Sequence, residues 1–383
     1  MTFNSSGQAC QYLIDTAGLT VDQIKEYTER TGLTVTNIAG AAAKAEADGL
    51  NVRTHLETQI AAAEQKRKEY ALEDIEKESA AGYLQEFLNG IGESVNTPRY
   101  ATGFQQLDQV LDGGLYEGLY IVGAIASLGK TTFIMQIADQ LAEQGHDVMI
   151  FSLEMSRFEL MAKSISRITL LECLQSGNST RNAKTARDIT DGARYKNYSQ
   201  TEIDLIHSSA ESYSEYATHI YIYEGVGDIG VDQIRTEIEH FRKAVGHSPV
   251  VIIDYVQILA PYEVKATDKA NIDKAVVELK RMSRDFKVIV IGISSFNRGN
   301  YDSPVTFNAF KESGKIEYGG DVLIGLQLAG VGGKEFDSTT EKNRDPRRVE
   351  ALILKNRGYR VGDKVCFNYY PAFNYFKEVD SWN

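Results

Sequence analysis

The spacing of hydrophobic and polar positions changes character near residue 97. Before it, apolar residues recur at helical intervals. Residues 1–60 read as small helices. Thr20-Val21-Asp22-Gln23 has the form of a capping box, with Thr20 as N-cap and Gln23 reaching back. Val21, Ile24 and Tyr27 or Thr28 then give one apolar stripe, and Gly32 is a stop signal. A second start at Thr34 to Thr36 leads to Ile38 and the alanine-rich run Ala39 to Ala47. Two short helices around a turn would suit a DNA-binding helix-turn-helix. A packing or protein-docking bundle is favoured, because the second helix is poor in Lys and Arg. Residues 54–92 predict one long or broken helix. Its basic cluster Gln65 to Lys68 and acidic cluster Glu73 to Glu76 describe a solvated face. Tyr83, Leu84, Phe87, Leu88 and Ile91 form a stripe expected to dock on something apolar. Gly90, Gly92 and Asn96-Thr97-Pro98 are expected to close the helix.

From Gly103 onward short apolar runs alternate with helical stretches, the pattern of an α/β fold with a mainly parallel twisted sheet flanked by helices. Candidate strands are Leu119–Val122, Val148–Leu153, Ile220–Tyr223, Val250–Asp254, Val288–Ile293, Val322–Leu328 and Arg348–Lys355. Most are continuous apolar runs, as for strands covered on both faces. The expected organisation is a small all-helical region over 1–60, a linker helix over 61–97 and an α/β domain over 98–383.

Composition narrows the function classes. The chain has 383 residues, 43% apolar and 25% charged, as in globular proteins. No apolar run approaches the roughly 20 residues of a membrane span, so no membrane partner is expected. Met1-Thr2-Phe3-Asn4-Ser5 lacks the basic and apolar regions of a secretory leader. Cys10, Cys173 and Cys366 lie far apart without a C-x-x-C pair, which favours a reducing cytoplasm over a disulfide framework or zinc site. The net charge of −12 argues against coating nucleic acid with the outer surface. It leaves room for a nucleic-acid site confined to a channel or a few loops.

The chemistry centres on Ile121-Val122-Gly123-Ala124-Ile125-Ala126-Ser127-Leu128-Gly129-Lys130-Thr131-Thr132, read as strand, loop and helix start. Unpaired N–H groups and the dipole at such a helix N-terminus suit phosphates. Lys130 adds a point charge for the β/γ-phosphates and Thr131 a hydroxyl for Mg²⁺. The pattern departs from G-x-x-x-x-G-K-[ST] in having Ala124 first. The competing reading is a β–α turn with a surface lysine. Four further features fall at strand ends. Asp254 closes an apolar strand and suits a Mg²⁺ water shell, or else a turn or helix cap. Glu154, after Phe151-Ser152-Leu153, could polarise a water for attack on a γ-phosphate, or simply cap the next helix, Phe158 to Ile168. Ser294-Ser295-Phe296-Asn297-Arg298 could sense a phosphate, or be an ordinary polar turn. Lys355 and Arg357 alternate along a strand and so share a side, able to complete a neighbour's site or to guard a sheet edge.

Residues about 99–378 resemble the ATPase domain of DnaB-type replicative helicases, a RecA-like fold. The matching stretches are Thr102-Gly103-Phe104-Gln105-Gln106-Leu107-Asp108, Ala124 to Thr132, and Phe151-Ser152-Leu153-Glu154-Met155. They continue with Ile253-Asp254-Tyr255-Val256-Gln257-Ile258, Lys311-Glu312-Ser313-Gly314-Lys315-Ile316-Glu317, and Lys355-Asn356-Arg357-Gly358. Gly113 to Tyr120, Ser127 to Thr132 and Ser294 to Arg298 are also similar to the helicase half of primase–helicase polypeptides of phages and mobile elements. No acidic cluster for a primase metal centre is seen in 1–97, so priming is not expected of this chain.

The resemblance implies ATP and Mg²⁺. Ala126, Ser127, Leu128, Gly129, Lys130, Thr131 and Thr132 would cradle the nucleotide, with Gln257 and Ser295 near it. Thr131 and Asp254 would serve the metal, Glu154 would be the general base, and Lys355 and Arg357 would enter the adjacent subunit's site in a ring, normally hexameric. Single-stranded DNA would thread the centre, past Pro261–Ala270 with Lys265 and Lys269, and Phe296–Phe310 with Asn297 and Arg298. The helix from about Glu64 to Ile91 would link subunits. Primase or other replication proteins would be further partners. Ser295 stands where the family usually carries Gln or His, and 1–97 does not look like the usual N-terminal domain. The implied function is an ATP-dependent replicative DNA helicase. The alternative is an ATP-binding switch or loader that binds DNA or replication proteins without unwinding; a RecA-like recombinase fits the Glu154 and Glu312 stretches less well.

Overall fold

In the computed structural model, described for residues 3–94, 99–177, 179–225, 228–263, 265–296, 302–310 and 314–382, the chain divides into two units, Met1–Thr97 and Pro98–Asn383.

The first unit contains α1 (Ser6–Ala17), α2 (Val21–Thr31), α3 (Val35–Ala47), α4 (Val52–Lys77) and α5 (Ala80–Ser94). The capping box at Thr20 and Gln23 is formed, and Gly32 ends α2 in the left-handed conformation. Thr34 caps α3. Leu13, Ile24, Ile38, Ala39, Ala42, Leu56 and Ile60 make the core. Val21, expected in the stripe, is exposed at the first position of α2. The expected long helix is broken at Ser79. Its hydroxyl bonds Glu76 O at 2.5 Å and receives Gly82 N at 3.2 Å, ending one helix and starting the next. Gly90 and Gly92 do not close α5, which runs on to Ser94. Tyr83, Leu84, Phe87, Leu88 and Ile91 are all exposed.

The second unit is built on nine strands: β1 (Gly118–Ala124), β2 (Val148–Ser152), β3 (Ile220–Glu224), β4 (Val250–Asp254), β5 (Ile289–Ser295), β6 (Val322–Leu328), β7 (Arg347–Asn356), β8 (Lys364–Tyr370) and β9 (Tyr375–Val379). They form one sheet in the order β3-β2-β4-β5-β1-β6-β7-β8-β9. β3 through β6 in that order are parallel, and the last three are antiparallel. The helices are α6 (Gln105–Val110), α7 (Lys130–Glu143), α8 (Arg157–Gln175), α9 (Ala186–Thr190), α10 (Gln200–Ala217), α11 (Val231–Val245), α12 (Asp268–Asp285), α13 (Gly314–Gly319) and α14 (Ser338–Asn343). β1, β2, β4 and β6 are buried throughout, as their unbroken apolar sequences require. β3, at the edge, is only half-buried. The 171–215 stretch is the end of α8, two short turns of 3₁₀ helix, α9 and most of α10.

Two contacts fix the strand–loop–helix at the middle of the sheet. Gly123 lies under Phe296 and Phe310, whose rings meet edge to face. A Cβ there would come within 2.2 and 2.5 Å of them. Behind α7, the β8–β9 hairpin supplies Phe367 and Phe376 to an aromatic cluster with Phe133. Gln136 closes the seam by donating to Phe376 O at 2.9 Å and accepting from Phe376 N at 2.8 Å. α7 is therefore packed and hydrogen-bonded against that hairpin.

Candidate nucleotide site

β1 ends at Ala124, and the loop Ile125 to Gly129 leads into α7. Gly129 is the N-cap at φ 92°, with no side chain capping the helix. Its conformation favours glycine, and a Cβ would meet Tyr369 at 2.8 Å. The first N–H groups of α7 are thus left for an anion. Ala126 and Ser127 are exposed and Leu128 is buried beneath them.

Lys130 is not a surface lysine. Burial holds its amine below the usual lysine value, while the charges of Asp254 and Glu154 act in the opposite sense. Asp254 is 4% exposed, and burial pushes its carboxyl up to about 6. The Thr131 hydroxyl and the Lys130 and Lys163 cations oppose that rise, and Glu154 adds to it. Asp254 Oδ2 has no hydrogen-bond partner. A buried, half-satisfied carboxylate beside a threonine hydroxyl suits a hydrated divalent cation, so Thr131 and Asp254 fit Mg²⁺.

Parallel pairing sets Ser152 beside Asp254, and Leu153 N donates to Asp254 O at 2.8 Å. Glu154, the next residue, is therefore delivered to the same edge and is exposed there. It does not cap α8. That helix starts at Arg157, with Ser156 as N-cap and Glu159 completing the capping box. Gln257 donates to Ser294 Oγ at 2.8 Å and to Ser295 O at 3.4 Å. Ser295 pairs with Ala124 across β5 and β1, so the end of β5 is tied both to the phosphate loop and to the segment after β4.

Lys355 and Arg357 share a side, as expected, but lie far from this edge. Asn356 pairs with Val322, and Val322 with Tyr120. Four strand positions separate Tyr120 from Ala124, roughly 13 Å before the loop begins. Lys355 Nζ donates to Glu317 O at 2.6 Å and Tyr318 O at 3.3 Å, and Arg357 Nη2 to Tyr318 O at 2.9 Å. Both cations cap the carboxyl end of α13 and cannot serve their own chain's phosphate loop. Of the expected DNA-facing residues, Lys265 is exposed in a turn and Lys269 in the first turn of α12, not in a loop. Asn297, Arg298 and Lys311-Glu312-Ser313 lie outside the described residues.

Four residues near the loop were not singled out in the sequence. Arg347 donates to Ser127 O at 2.9 Å and lies over the Tyr369 ring. Lys163 donates to Asn374 Oδ1 at 3.0 Å, within the field of Asp254. Asn374 also receives the Thr132 hydroxyl at 3.5 Å. Leu160, Lys163 and Arg167 share one face of α8, and cations on an otherwise apolar stripe were the available signal. Arg347 and Tyr369 come from β7 and β8 and Asn374 from the turn before β9, and these segments carried none.

Comparison with known proteins shows the family and the fold. The sequence model of the DnaB-like helicase C-terminal domain matches residues 100–378. The replicative DNA helicase DnaC of Bacillus subtilis (strain 168) is 26% identical over 363 residues, 93% of this chain and 73% of that protein. The replicative DNA helicase DnaB of Geobacillus stearothermophilus is 26% identical over 300 residues, 76% of this chain and 58% of that one. Among solved structures, the ATPase domain of G40P superposes with a TM-score of 0.64 at 23% identity, covering 79% of this chain and 99% of that domain. A DnaB-like replicative helicase, studied with its primase interactions, superposes at 0.65 and 22% identity, covering 95% of this chain and 88% of that one. At these identities the superpositions speak for the fold, which is RecA-like. The chain belongs to the DnaB-like helicase C-terminal domain family.

Proposed function

We propose that this chain is the motor subunit of an ATP-dependent replicative DNA helicase, hydrolysing Mg-ATP to move along single-stranded DNA and separate the duplex ahead. The observation that carries the reading is the division of one site over two sheet edges. Lys130, Thr131 and Asp254 converge beside the open N-terminus of α7, with Glu154 delivered to the same edge. The cations Lys355 and Arg357 sit out of reach at the other edge. A second copy must supply them, so the working form is a ring, and a hexamer follows from the family resemblance.

In that ring the backbone of Ala126 to Gly129 and the first turn of α7, with Thr132, cradle the phosphates. Lys130 neutralises the β/γ-phosphate oxygens, its desolvation strengthening the attraction. Thr131 and, through the ion's water shell, Asp254 would hold Mg²⁺, which would supply charge neutralisation at the phosphates. Glu154 orients the attacking water and takes its proton. The neighbour's Lys355 and Arg357 stabilise charge on the transferring group. Gln257, bonded to Ser294 and Ser295, carries the occupancy of the site toward the segment after β5, where Asn297 and Arg298 would meet DNA with Lys265 and Lys269. Free Cys10, Cys173 and Cys366 suit a reducing cytoplasm. Among the described residues no helix is long and apolar enough to cross a membrane. The neighbour solved for its interactions with primase supports a primase as partner.

Steady-state ATPase with and without single-stranded DNA, beside Lys130→Ala and Glu154→Gln, tests the proposal. Stimulation by DNA that both substitutions abolish is expected. Hydrolysis indifferent to DNA would instead favour a nucleotide switch that does not unwind.

A further inference from the structure

Large apolar side chains stand exposed on each of the two edges that must meet to complete the site. On the phosphate edge, Phe158, the second residue of α8 and four positions after Glu154 in the chain, is 71% exposed. Its neighbours are already engaged. Arg157 binds Glu224 through both its backbone N (2.7 Å) and its Nε (3.0 Å), and Glu159 is held in the capping box by Ser156. Phe158 alone is left projecting from the first turn of α8. On the opposite edge Tyr318 is 70% exposed, and its carbonyl is the acceptor shared by Lys355 and Arg357. Tyr359 and Val361, 39% and 59% exposed, follow within four residues of Arg357. A projecting phenylalanine close in the chain to the acid, and exposed apolar side chains on the segments that carry and hold the cations, have matching chemistry. The exposed charges match as well, with Glu154 on one edge and Arg357 and Arg360 on the other.

We infer that Phe158 of one copy is received by the Tyr318–Tyr359–Val361 rim of the next, as the anchor that seats Lys355 and Arg357 in its nucleotide site. This rests on the trans-site reading above and adds to it the contact that holds the two edges in register. Aromatic anchors at the centre of an interface carry a disproportionate share of its affinity. Seating Phe158 draws the rim toward α8, so the cations arrive beside Glu154, four residues earlier. Binding also asks Lys355 and Arg357 to exchange the α13 carbonyls for phosphate oxygens.

The test uses Phe158→Glu and Tyr318→Glu in the full chain, with mass by light scattering in Mg-ATP and ATPase on the same samples. Both positions are exposed, so each variant should keep its melting temperature and its binding of a fluorescent ADP. Each alone should stay at single-chain mass with ATPase lost, self-association being weakened at least roughly tenfold to a hundredfold. Mixed together they should form a two-chain species with partial ATPase, because each carries the intact edge the other lacks. A Phe158→Glu chain that still reaches the wild-type mass overturns the inference. So does a mixture that stays monomeric, since Phe158 is then covered by some other surface, the α5 stripe included. A wild-type chain that remains a monomer in Mg-ATP overturns it too. The trans-site reading fails separately, if Arg357→Ala keeps full ATPase in an assembled ring.

Discussion

Replacing Gly123 by alanine tests how tightly the phosphate loop is coupled to the segment after β5. The added methyl would lie 2.2 Å from Phe296 and 2.5 Å from Phe310, where ordinary contact needs roughly 3.5–4 Å. Each ring must therefore withdraw by more than about 1 Å. Neither has room, since Phe296 is 6% and Phe310 2% exposed and the two rings already pack edge to face at 4.7 Å. Overpacking of this kind costs about 1–3 kcal/mol, and expelling one ring instead forfeits a similar amount of burial. The expected loss is about 2 kcal/mol, a fall in Tm of about 5 °C. The chain's single tryptophan reports on the correct unit, because Trp382 Nε1 donates to Asn368 on β8 at 2.8 Å. Its fluorescence should follow unfolding of Gly123→Ala, Phe296→Leu and the double variant. Leucine leaves space for the methyl, so the double variant should be more stable than the sum of the singles by at least about 1 kcal/mol. Strict additivity would mean that the two rings do not constrain the strand, and the coupling argument would fall.

Asp254→Asn should stabilise the metal-free protein while destroying hydrolysis. With its carboxyl raised by burial from 3.8 to about 6, the folded state holds that proton more tightly than the unfolded chain. The resulting penalty is absent below about pH 4 and complete above about pH 6. It amounts to about 3 kcal/mol, less about 1 kcal/mol for an amide without a partner. In EDTA the variant should melt several degrees higher than wild type at pH 7.5, with the advantage shrinking as pH falls toward 4.5; an equal gain at both pH values would refute the burial argument. Arg347→Ala frees the Ser127 carbonyl from its 2.9 Å bond, and should raise KM for Mg-ATP severalfold with a smaller change in kcat. A pure kcat effect would count against that role. Leu84→Asp with Phe87→Asp, both on the exposed stripe of α5, should reduce the assembled mass in light scattering. An unchanged mass would remove α5 from the subunit contacts.

Features written in local spacing were readable from the sequence. The capping box at Thr20 and Gln23, the apolar run into Asp254 and the phosphate-loop pattern each declare themselves within a few residues, and each has the expected form. What escaped depends on partners distant in the chain. β8 and β9 carry Phe367, Tyr369 and Phe376 against α7, yet their runs are short, mixed with polar residues and interrupted at Pro371. Arg347 and Asn374 matter only because that hairpin lies beside the phosphate loop. The break between α4 and α5 turns on one serine hydroxyl, a smaller cue than the two glycines that α5 passes through. The opposed placement of Arg357 and Lys130 needed the antiparallel register of β7 against β6, which no single stretch contains.

Mixing two inactive variants tests the divided site most directly. Lys130→Ala lacks the phosphate-binding lysine but keeps its cations, and Arg357→Ala keeps a complete phosphate edge. Each alone should show little ATPase with single-stranded DNA. Co-assembled in equal amounts, they should regain DNA-stimulated hydrolysis, at interfaces where the intact phosphate edge of one variant meets the intact Arg357 of the other. A mixture as inactive as its components, in rings shown to contain both chains, would contradict a site shared between copies.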